Sequence, residues 1–265
     1  AFRTMELAGA DIITIPMDKE GMIVDSLENE VAKRNPKLIY VNSSYHDPTG
    51  AELSIKRRKK LVEISEAYRI PIIEDDAASE LVFDGEALPT LKSMDEGGNI
   101  IYIYSFSLTF APGLSLAFVI APKKLIHALS YLVSVRLMAI DWVTQGLLAK
   151  YMSDGTYFRK IEEFRAEYER KKDLMCRKLD ELKELGLSYE KPKGGIYVWV
   201  KLPDGIDSKE LMERCYRRHL TLLAGYIFYP KNNGGRDHIR LNYSYEEYER
   251  IEEGMAILSE VLRTM

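Results

Sequence analysis

The sequence is poor in the residues that build disulfides and metal sites. Its 265 residues include only 2 cysteines and 4 histidines. Cys176 and Cys215 both fall within helical patterns, which favours reduced thiols over a disulfide. The histidines stand far apart, at His46, His127, His219 and His238. Since they lack the spacing of zinc ligands and no Ser-His-Asp or Cys-His arrangement is apparent, we predict neither a metal site nor a nucleophilic triad.

The chain also lacks a long apolar run and an excess of positive charge. No apolar run reaches the ~18 residues that a membrane span needs, and no signal peptide is visible. Lys and Arg total 37 against 41 Asp and Glu, which gives a formal net charge of −4. This balance argues against a nucleic-acid surface within the segment. We expect a cytoplasmic protein without membrane contact, which could reach DNA only through another part of a longer polypeptide.

Apolar residues are plentiful, and in the first half they form short strands that alternate with helices. Hydrophobic residues make up 46% of the chain, enough for a packed core. The predicted strands are 11–16, 37–41, 70–74, 99–104 and 115–121, and the predicted helices are 26–34 and 54–68. Nearly continuous apolar strands between helices indicate an α/β fold, with a mostly parallel sheet covered on both faces in three layers.

The second half begins with helices and ends in an α+β pattern. Helices are predicted at 123–138, 142–152 and, as one long amphipathic helix, 156–185. Strands at 196–200 and 238–242 follow, with helices starting near 208 and 245. We therefore predict a partial large domain over 1–150, a bridging helix over 151–185 and a small α+β domain over 186–265.

The opening residues read as the end of a helix rather than its beginning. The pattern over 1–10 has no start signal, and Gly9 stands where a left-handed helix end is expected. This pattern predicts that the sequence is a fragment of a longer protein.

Polar clusters follow three of the predicted strands. They lie at 45–50, 74–76 and 105–113, where ligands bind in an open α/β sheet. Each cluster also suits a structural role, as turn chemistry or as a helix cap. Asp75 and Asp76 are adjacent on a strand and should point to opposite faces, which makes them poor partners for shared acid–base chemistry.

Together with 194–199 and 239–243, these clusters resemble the class I/II aminotransferases, pyridoxal-phosphate enzymes of fold type I. The sequence is most similar to the 2-aminoadipate aminotransferase-like branch and to the effector domain of MocR-type GntR transcription regulators. The matching motifs lie at 72–76, 80–81, 83–85, 88–89, 91–93 and 111–114. The resemblance covers essentially the whole chain. It implies a homodimer, and it implies that the N-terminal part of the family fold, with a phosphate-binding glycine loop, lies outside the sequence.

The resemblance assigns roles to several residues. It implies that Asp75 pairs with the pyridinium nitrogen of the cofactor and that Ser105 and Ser107 face its phosphate. Arg240 matches the arginine that grips a substrate or effector α-carboxylate. The alternatives are a helix cap or a surviving fold residue for Asp75, and a salt bridge between strand and helix for Arg240.

The sequence departs from the family at the positions that carry the chemistry. Leu108 occupies the position of the cofactor-binding lysine and has neither a nucleophilic nitrogen nor a titratable group. Asp47 replaces the asparagine that donates to the cofactor ring oxygen, and an ionised carboxylate can only accept. Ala78 replaces an aromatic hydroxyl, and Ser115 replaces a phosphate-binding arginine. We therefore predict no catalytic residue, with Asp47, Asp75, Ser105 and Ser107 as vestigial contacts and pyridoxal phosphate bound weakly or not at all.

Two functions follow from the resemblance. The first is a non-catalytic effector-binding and dimerisation domain of a MocR/GntR-type regulator, which would bind a small amino-acid-like or carboxylate effector. The alternative is a 2-aminoadipate-type aminotransferase that is inactive or diverged through loss of its lysine. A weaker third reading is a structural partner subunit.

Overall fold

The computed structural model describes residues 1–137 and 141–265, which group into two compact units. One unit comprises Pro16–His46 and Ala51–Arg165, and we call it the parallel-sheet unit. The other comprises Ala1–Ile15, Asp47–Gly50 and Ala166–Met265, and we call it the antiparallel-sheet unit. Both units are therefore built from separated stretches of chain. The domain boundaries read from the sequence remain a prediction.

Helices and short strands alternate along the described chain. The helices are α1 (Phe2–Leu7), α2 (Val24–Arg34), α3 (Ile55–Tyr68), α4 (Lys123–Leu137), α5 (Trp142–Ser153), α6 (Thr156–Glu181), α7 (Ser208–Tyr216) and α8 (Tyr248–Arg263). The strands are β1 (Met17–Asp18), β2 (Gly21–Met22), β3 (Ile39–Val41), β4 (Ile72–Asp76), β5 (Ile100–Ser105), β6 (Ala117–Ile120), β7 (Ser188–Tyr189), β8 (Tyr197–Lys201), β9 (Leu223–Ala224) and β10 (His238–Asn242). Among the described residues, no helix combines the length and apolar character needed to cross a membrane.

The parallel-sheet unit is organised around a four-stranded sheet of order β3-β4-β5-β6. β3, β4 and β5 run parallel, and β6 pairs antiparallel with β5. No residue of β3, β4 or β5 is exposed, as expected of parallel strands covered on both faces. The edge strand β6 is largely exposed. The predicted α/β, mostly parallel architecture is confirmed.

The register of this sheet brings the polar strand ends to one edge. Val41 pairs with Glu74, and Asp76 pairs with Tyr104 near the end of β5. The chain segments that follow β3, β4 and β5 therefore start from the same edge, where parallel strands present their carboxyl ends.

The antiparallel-sheet unit contains the sheet β7-β8-β10-β9. One face of its central strands is core, since Val198, Val200 and Ile239 are fully buried. The alternating residues Tyr197, Trp199 and Arg240 lie on the opposite face. This second face carries the polar and aromatic groups described below.

The prediction of a strand over 11–16 is wrong, because residues 10–16 form no strand ladder. A strand requires a partner, and the nearest pairing is the two-residue ladder between β1 and β2. Pro16 has no backbone N–H to offer a ladder, and its carbonyl accepts from the amide of Ile23. Helix α1 ends as predicted, with Gly9 at a φ of +84°. The predicted helix end at Met138 lies outside the described residues.

Candidate functional site

Asp75 is held by a neighbouring strand rather than by the turn that follows it. Its carboxylate accepts a hydrogen bond from the hydroxyl of Tyr40, which lies on β3. The amide of Asn42 donates to the backbone carbonyl of Asp75 at 2.9 Å. The local backbone contact belongs to Asp76 instead, whose Oδ1 accepts from the amide of Ser79 at 3.0 Å. Asp75 and Asp76 therefore have separate partners, in agreement with their opposite directions on β4.

The loop after β5 carries the predicted phosphate-binding serines and Leu108. Ser105 Oγ donates to Ser107 Oγ at 3.1 Å, and the amide of Ser107 donates back to Ser105 Oγ at 3.3 Å. Leu108 is half-buried. Ser115 is exposed and has a left-handed backbone with a φ of 48°. The two serines are thus bonded to each other, and neither Leu108 nor Ser115 supplies a cationic side chain.

A buried group of hydroxyls surrounds the residue that follows Leu108. Glu80 Oε2 accepts from the hydroxyls of Tyr104 at 2.7 Å and Tyr157 at 2.9 Å. Thr109 Oγ1 lies 3.2 Å and 3.0 Å from the same two hydroxyls. Burial raises the pKa of Tyr104, and it raises the pKa of Tyr157 to about 12. These phenols are therefore protonated at neutral pH, and they anchor the loop that carries Leu108.

A second buried network fixes the ends of β3 and β4. The side chains of Glu74 and Arg58 are fully buried. Glu74 accepts from Ser43 Oγ at 2.6 Å and from the amides of Leu91 and Lys92 at 2.8 Å and 2.9 Å. Arg58 donates to backbone carbonyls that include that of Ser43, at 2.7 Å. Burial raises the pKa of Glu74, although its hydrogen bonds and the nearby Arg58 act to lower it. Burial lowers the pKa of Arg58, although the negative charges of Glu52 and Glu74 act to raise it.

Asp47 and Arg240 form an ion pair within the antiparallel-sheet unit. Arg240 Nη1 donates to Asp47 Oδ1 at 2.6 Å across 193 positions of sequence. The Arg240 side chain is 15% exposed and that of Asp47 is 46% exposed. The turn that bears Asp47 ends at Gly50, whose φ is +68°. The partner of Arg240 is thus a turn residue. The alternative of a salt bridge between strand and helix is wrong in this respect.

Aromatic rings hold the guanidinium of Arg240 in place. Its Cζ lies 3.9 Å from the ring centroid of Tyr197 and 4.8 Å from that of Phe228. Phe228 in turn packs edge-on against Trp199, with centroids 5.7 Å apart. The turn at Gly225–Phe228 requires glycine at its start, since a Cβ on Gly225 would lie 2.3 Å from the carbonyl oxygen of Gly235. The result is an arginine stacked on rings and directed at a carboxylate.

The structure groups the predicted residues as follows. Asp75, Ser105, Ser107 and Leu108 belong to the parallel-sheet unit, whereas Asp47 and Arg240 belong to the antiparallel-sheet unit and bind each other. Sequence reasoning did not identify Tyr40 as the partner of Asp75 or the rings around Arg240. The alternation of Tyr197 and Trp199 along one strand was the only available signal for those rings. Among the described residues, no cluster of His, Cys, Asp and Glu is able to hold a metal ion.

Comparison with solved structures defines the class of protein. LysN, an alpha-aminoadipate aminotransferase from Thermus thermophilus solved with N-(5'-phosphopyridoxyl)-L-leucine, is similar with a TM-score of 0.92 and 28% identity. The similarity covers 99% of this chain and 68% of that one. The chain is therefore an α/β protein with the fold of the pyridoxal-phosphate-dependent aminotransferases.

The family follows from the sequence match. The model of the family Aminotransferase class I and II matches residues 3–256, so the chain belongs to this family. Aromatic-amino-acid aminotransferase 1 of Thermococcus litoralis is 30% identical over 96% of this chain and 62% of its own length. The uncharacterized HTH-type transcriptional regulator YdfD of Bacillus subtilis is 29% identical over 100% of this chain and 54% of its own length. The chain thus spans between half and two thirds of these relatives.

Pyridoxal phosphate is the cofactor that the family implies, and the residues here do not fit its covalent attachment. Leu108 provides no amine. Asp47, where the family has an amide donor, is an acceptor paired with Arg240. Ser105 and Ser107 bond to each other, with Ser115 in place of the phosphate arginine. These residues therefore support no reaction step through the cofactor.

Proposed function

We propose that this chain is the non-catalytic, aminotransferase-like domain of a MocR/GntR-type transcription regulator, where it binds an effector and dimerises. The observation that carries the proposal is Leu108 in the lysine position, because one substitution removes both the covalent anchor and the proton-transfer group. A regulator needs ligand sensing and dimerisation, not turnover, and therefore tolerates this loss.

The other changed positions support the same proposal. Asp47, Ala78 and Ser115 each remove a cofactor contact of the family pattern. An unmade charged hydrogen bond costs on the order of 1–3 kcal/mol. Several such losses, with the covalent link also gone, leave pyridoxal phosphate weakly bound or unbound.

The partners belong to the proposal as well. An amino-acid-like or carboxylate effector would bind through Arg240, whose guanidinium is shaped for carboxylates. The protein would act as a cytoplasmic homodimer and reach DNA through another part of the whole polypeptide. The match to an HTH-type regulator over the full length of this chain favours this arrangement.

The alternative is a diverged 2-aminoadipate-type aminotransferase. The retained Asp75 and the 30% identical aromatic-amino-acid aminotransferase favour it. The gene sequence upstream of Ala1 separates the two functions. A basic winged helix-turn-helix followed by a linker supports the regulator, whereas an aminotransferase N-terminal arm supports the enzyme.

Titration with pyridoxal phosphate tests the loss of catalysis. We expect no stoichiometric visible absorption band that borohydride reduces, and no transfer of an amino group from L-2-aminoadipate to a 2-oxo acid. Leu108→Lys is expected to remain inactive in transamination because the other contacts are still missing. Leu108→Met is the matched control, since it changes the side chain without adding an amine.

Two results would contradict the proposal. One is a stoichiometric, reducible band in the unmodified protein that peptide mapping assigns to a single lysine. The other is measurable transamination by Leu108→Lys, which would show that the remaining pocket is intact.

A further inference from the structure

Arg240 already binds a carboxylate from its own chain. Asp47 Oδ1 accepts from its Nη1 at 2.6 Å, a distance typical of a strong charge-assisted hydrogen bond. With 46% of its side chain exposed, Asp47 can be reached by a ligand from solvent. The group that an external carboxylate would bind is therefore occupied by an internal one.

The guanidinium cannot easily turn to meet a ligand elsewhere. The rings of Tyr197 and Phe228 lie against it, and only 15% of the arginine side chain is exposed. A ligand carboxylate that binds this guanidinium therefore comes close to the carboxylate of Asp47. If Asp47 stays, the two carboxylates repel at close range. If Asp47 leaves, the ligand must compete with a tethered group whose effective concentration is in the millimolar range or above.

We propose that Asp47 is an internal competitor for Arg240 and determines the charge class of ligand that this site accepts. A simple carboxylate binds Arg240 only by leaving Asp47 unpaired. An α-amino acid binds Arg240 through its carboxylate, and its ammonium group pairs with the displaced Asp47. The charges of Arg240 and Asp47 therefore both remain paired. The site therefore selects zwitterionic amino acids against simple carboxylates. This inference rests on the proposed ligand-binding function.

The test compares three ligands with one carbon skeleton by isothermal titration calorimetry. The ligands are L-leucine, 4-methylpentanoate, which lacks the ammonium, and L-leucinamide, which lacks the carboxylate. We expect the unmodified protein to bind L-leucine at least about tenfold more tightly than 4-methylpentanoate. This ratio of affinities corresponds to the free energy of one charged hydrogen bond. In Asp47→Asn the affinity for 4-methylpentanoate should rise about tenfold, so that this preference largely disappears. Binding of L-leucinamide should not improve.

The controls separate competition from other effects of the substitution. Glu260→Gln removes an exposed carboxylate that pairs with Arg218 in the same unit, and it should leave all three affinities unchanged. Arg240→Gln combined with Asp47→Asn should abolish the gain for 4-methylpentanoate. Asp47→Ser provides a second removal of the charge, and the thermal unfolding of each variant shows whether it is folded.

An unchanged preference for L-leucine in both folded Asp47 variants would overturn the proposal. An equal gain for L-leucinamide, or the absence of saturable binding of either carboxylate by those variants, would overturn it too. The absorbance experiment with pyridoxal phosphate depends on Leu108 and not on this competition. A failure of the proposed non-catalytic function is therefore distinguishable from a failure of the proposed competition by Asp47.

Discussion

At the scale of single residues, Asp95 is a buried carboxylate that orders the loop before β5. Its side chain is 0% exposed and accepts from Lys92 Nζ at 2.8 Å. It also accepts from the amides of Asn99 and Ile100, both at 3.0 Å. Burial acts to raise the pKa of Asp95, but these hydrogen bonds outweigh it and the pKa is lowered.

Replacement of Asp95 by asparagine should therefore destabilise the protein in a pH-dependent manner. Because the folded pKa lies below the unfolded value of ~3.9, the stabilisation is complete above that pH and is lost as pH falls through the folded pKa. We expect Asp95→Asn to lower the free energy of unfolding by about 1–3 kcal/mol at neutral pH. Urea titrations over a pH series measure this difference.

The exposed neighbour Glu96 provides the control for Asp95. Glu96→Gln should change the free energy of unfolding by no more than about 0.5 kcal/mol at any pH. A loss in Asp95→Asn that stays constant down to the lowest pH would argue against the hydrogen-bonded carboxylate as its cause.

Arg58 and Glu74 show why some residue-scale features escape sequence reasoning. Arg58 lies within the run Lys56-Arg57-Arg58-Lys59-Lys60, a pattern typical of a solvated helix face. It is nonetheless fully buried, because carbonyls of the loops after β3 and before Lys92 converge on it. Its burial depends on partners up to 31 positions away, which no local pattern reports.

At the scale of secondary-structure elements, the N-terminus of α7 depends on Asp207. Its Oδ1 accepts from the amides of Lys209 at 2.9 Å and Glu210 at 3.3 Å, which have no partner within the helix. Its Oδ2 also accepts from Arg236 Nε at 2.8 Å. One carboxylate therefore caps the helix and forms a surface ion pair.

We expect the cap to contribute more to stability than the ion pair. Asp207→Ala should lower the free energy of unfolding by about 1–2 kcal/mol, as for other caps. Arg236→Ala removes the ion pair alone and should cost at most about 1 kcal/mol. Thermal and urea unfolding of both variants, with Asp207→Asn as a cap-retaining control, measure the two contributions. Equal losses in the two alanine variants would mean that the pair, not the cap, is the stabilising contact.

Elements with strong apolar patterns were predicted well, and those that depend on a distant partner were not. The strand predicted at 238–242 is β10, and the helix predicted at 54–68 is α3 within one residue. The segment 11–16 contains three isoleucines but forms no ladder among the described residues. The antiparallel direction of β6 likewise follows from its pairing with β5, and not from its sequence.

At the scale of the whole molecule, the charge balance bears on the proposed regulator. With a formal net charge of −4, this chain lacks the basic excess that drives binding to phosphate backbones. We expect the 265-residue chain not to retard duplex DNA in a gel shift at low salt. A basic DNA-binding protein serves as the positive control. Salt-sensitive retardation by this chain alone would contradict a division of labour in which DNA contact belongs to another part of the polypeptide.

The prediction that position 108 supplies no catalytic amine rests on the sequence alone, because a leucine side chain has no nitrogen in any conformation. The fold class and the main strands were also predictable from the sequence, since they follow from local apolar periodicity. Only the tertiary structure revealed that Asp47 pairs with Arg240 and that Tyr40 donates to Asp75. These contacts join residues 193 and 35 positions apart, and such pairings are decided by how the chain closes on itself.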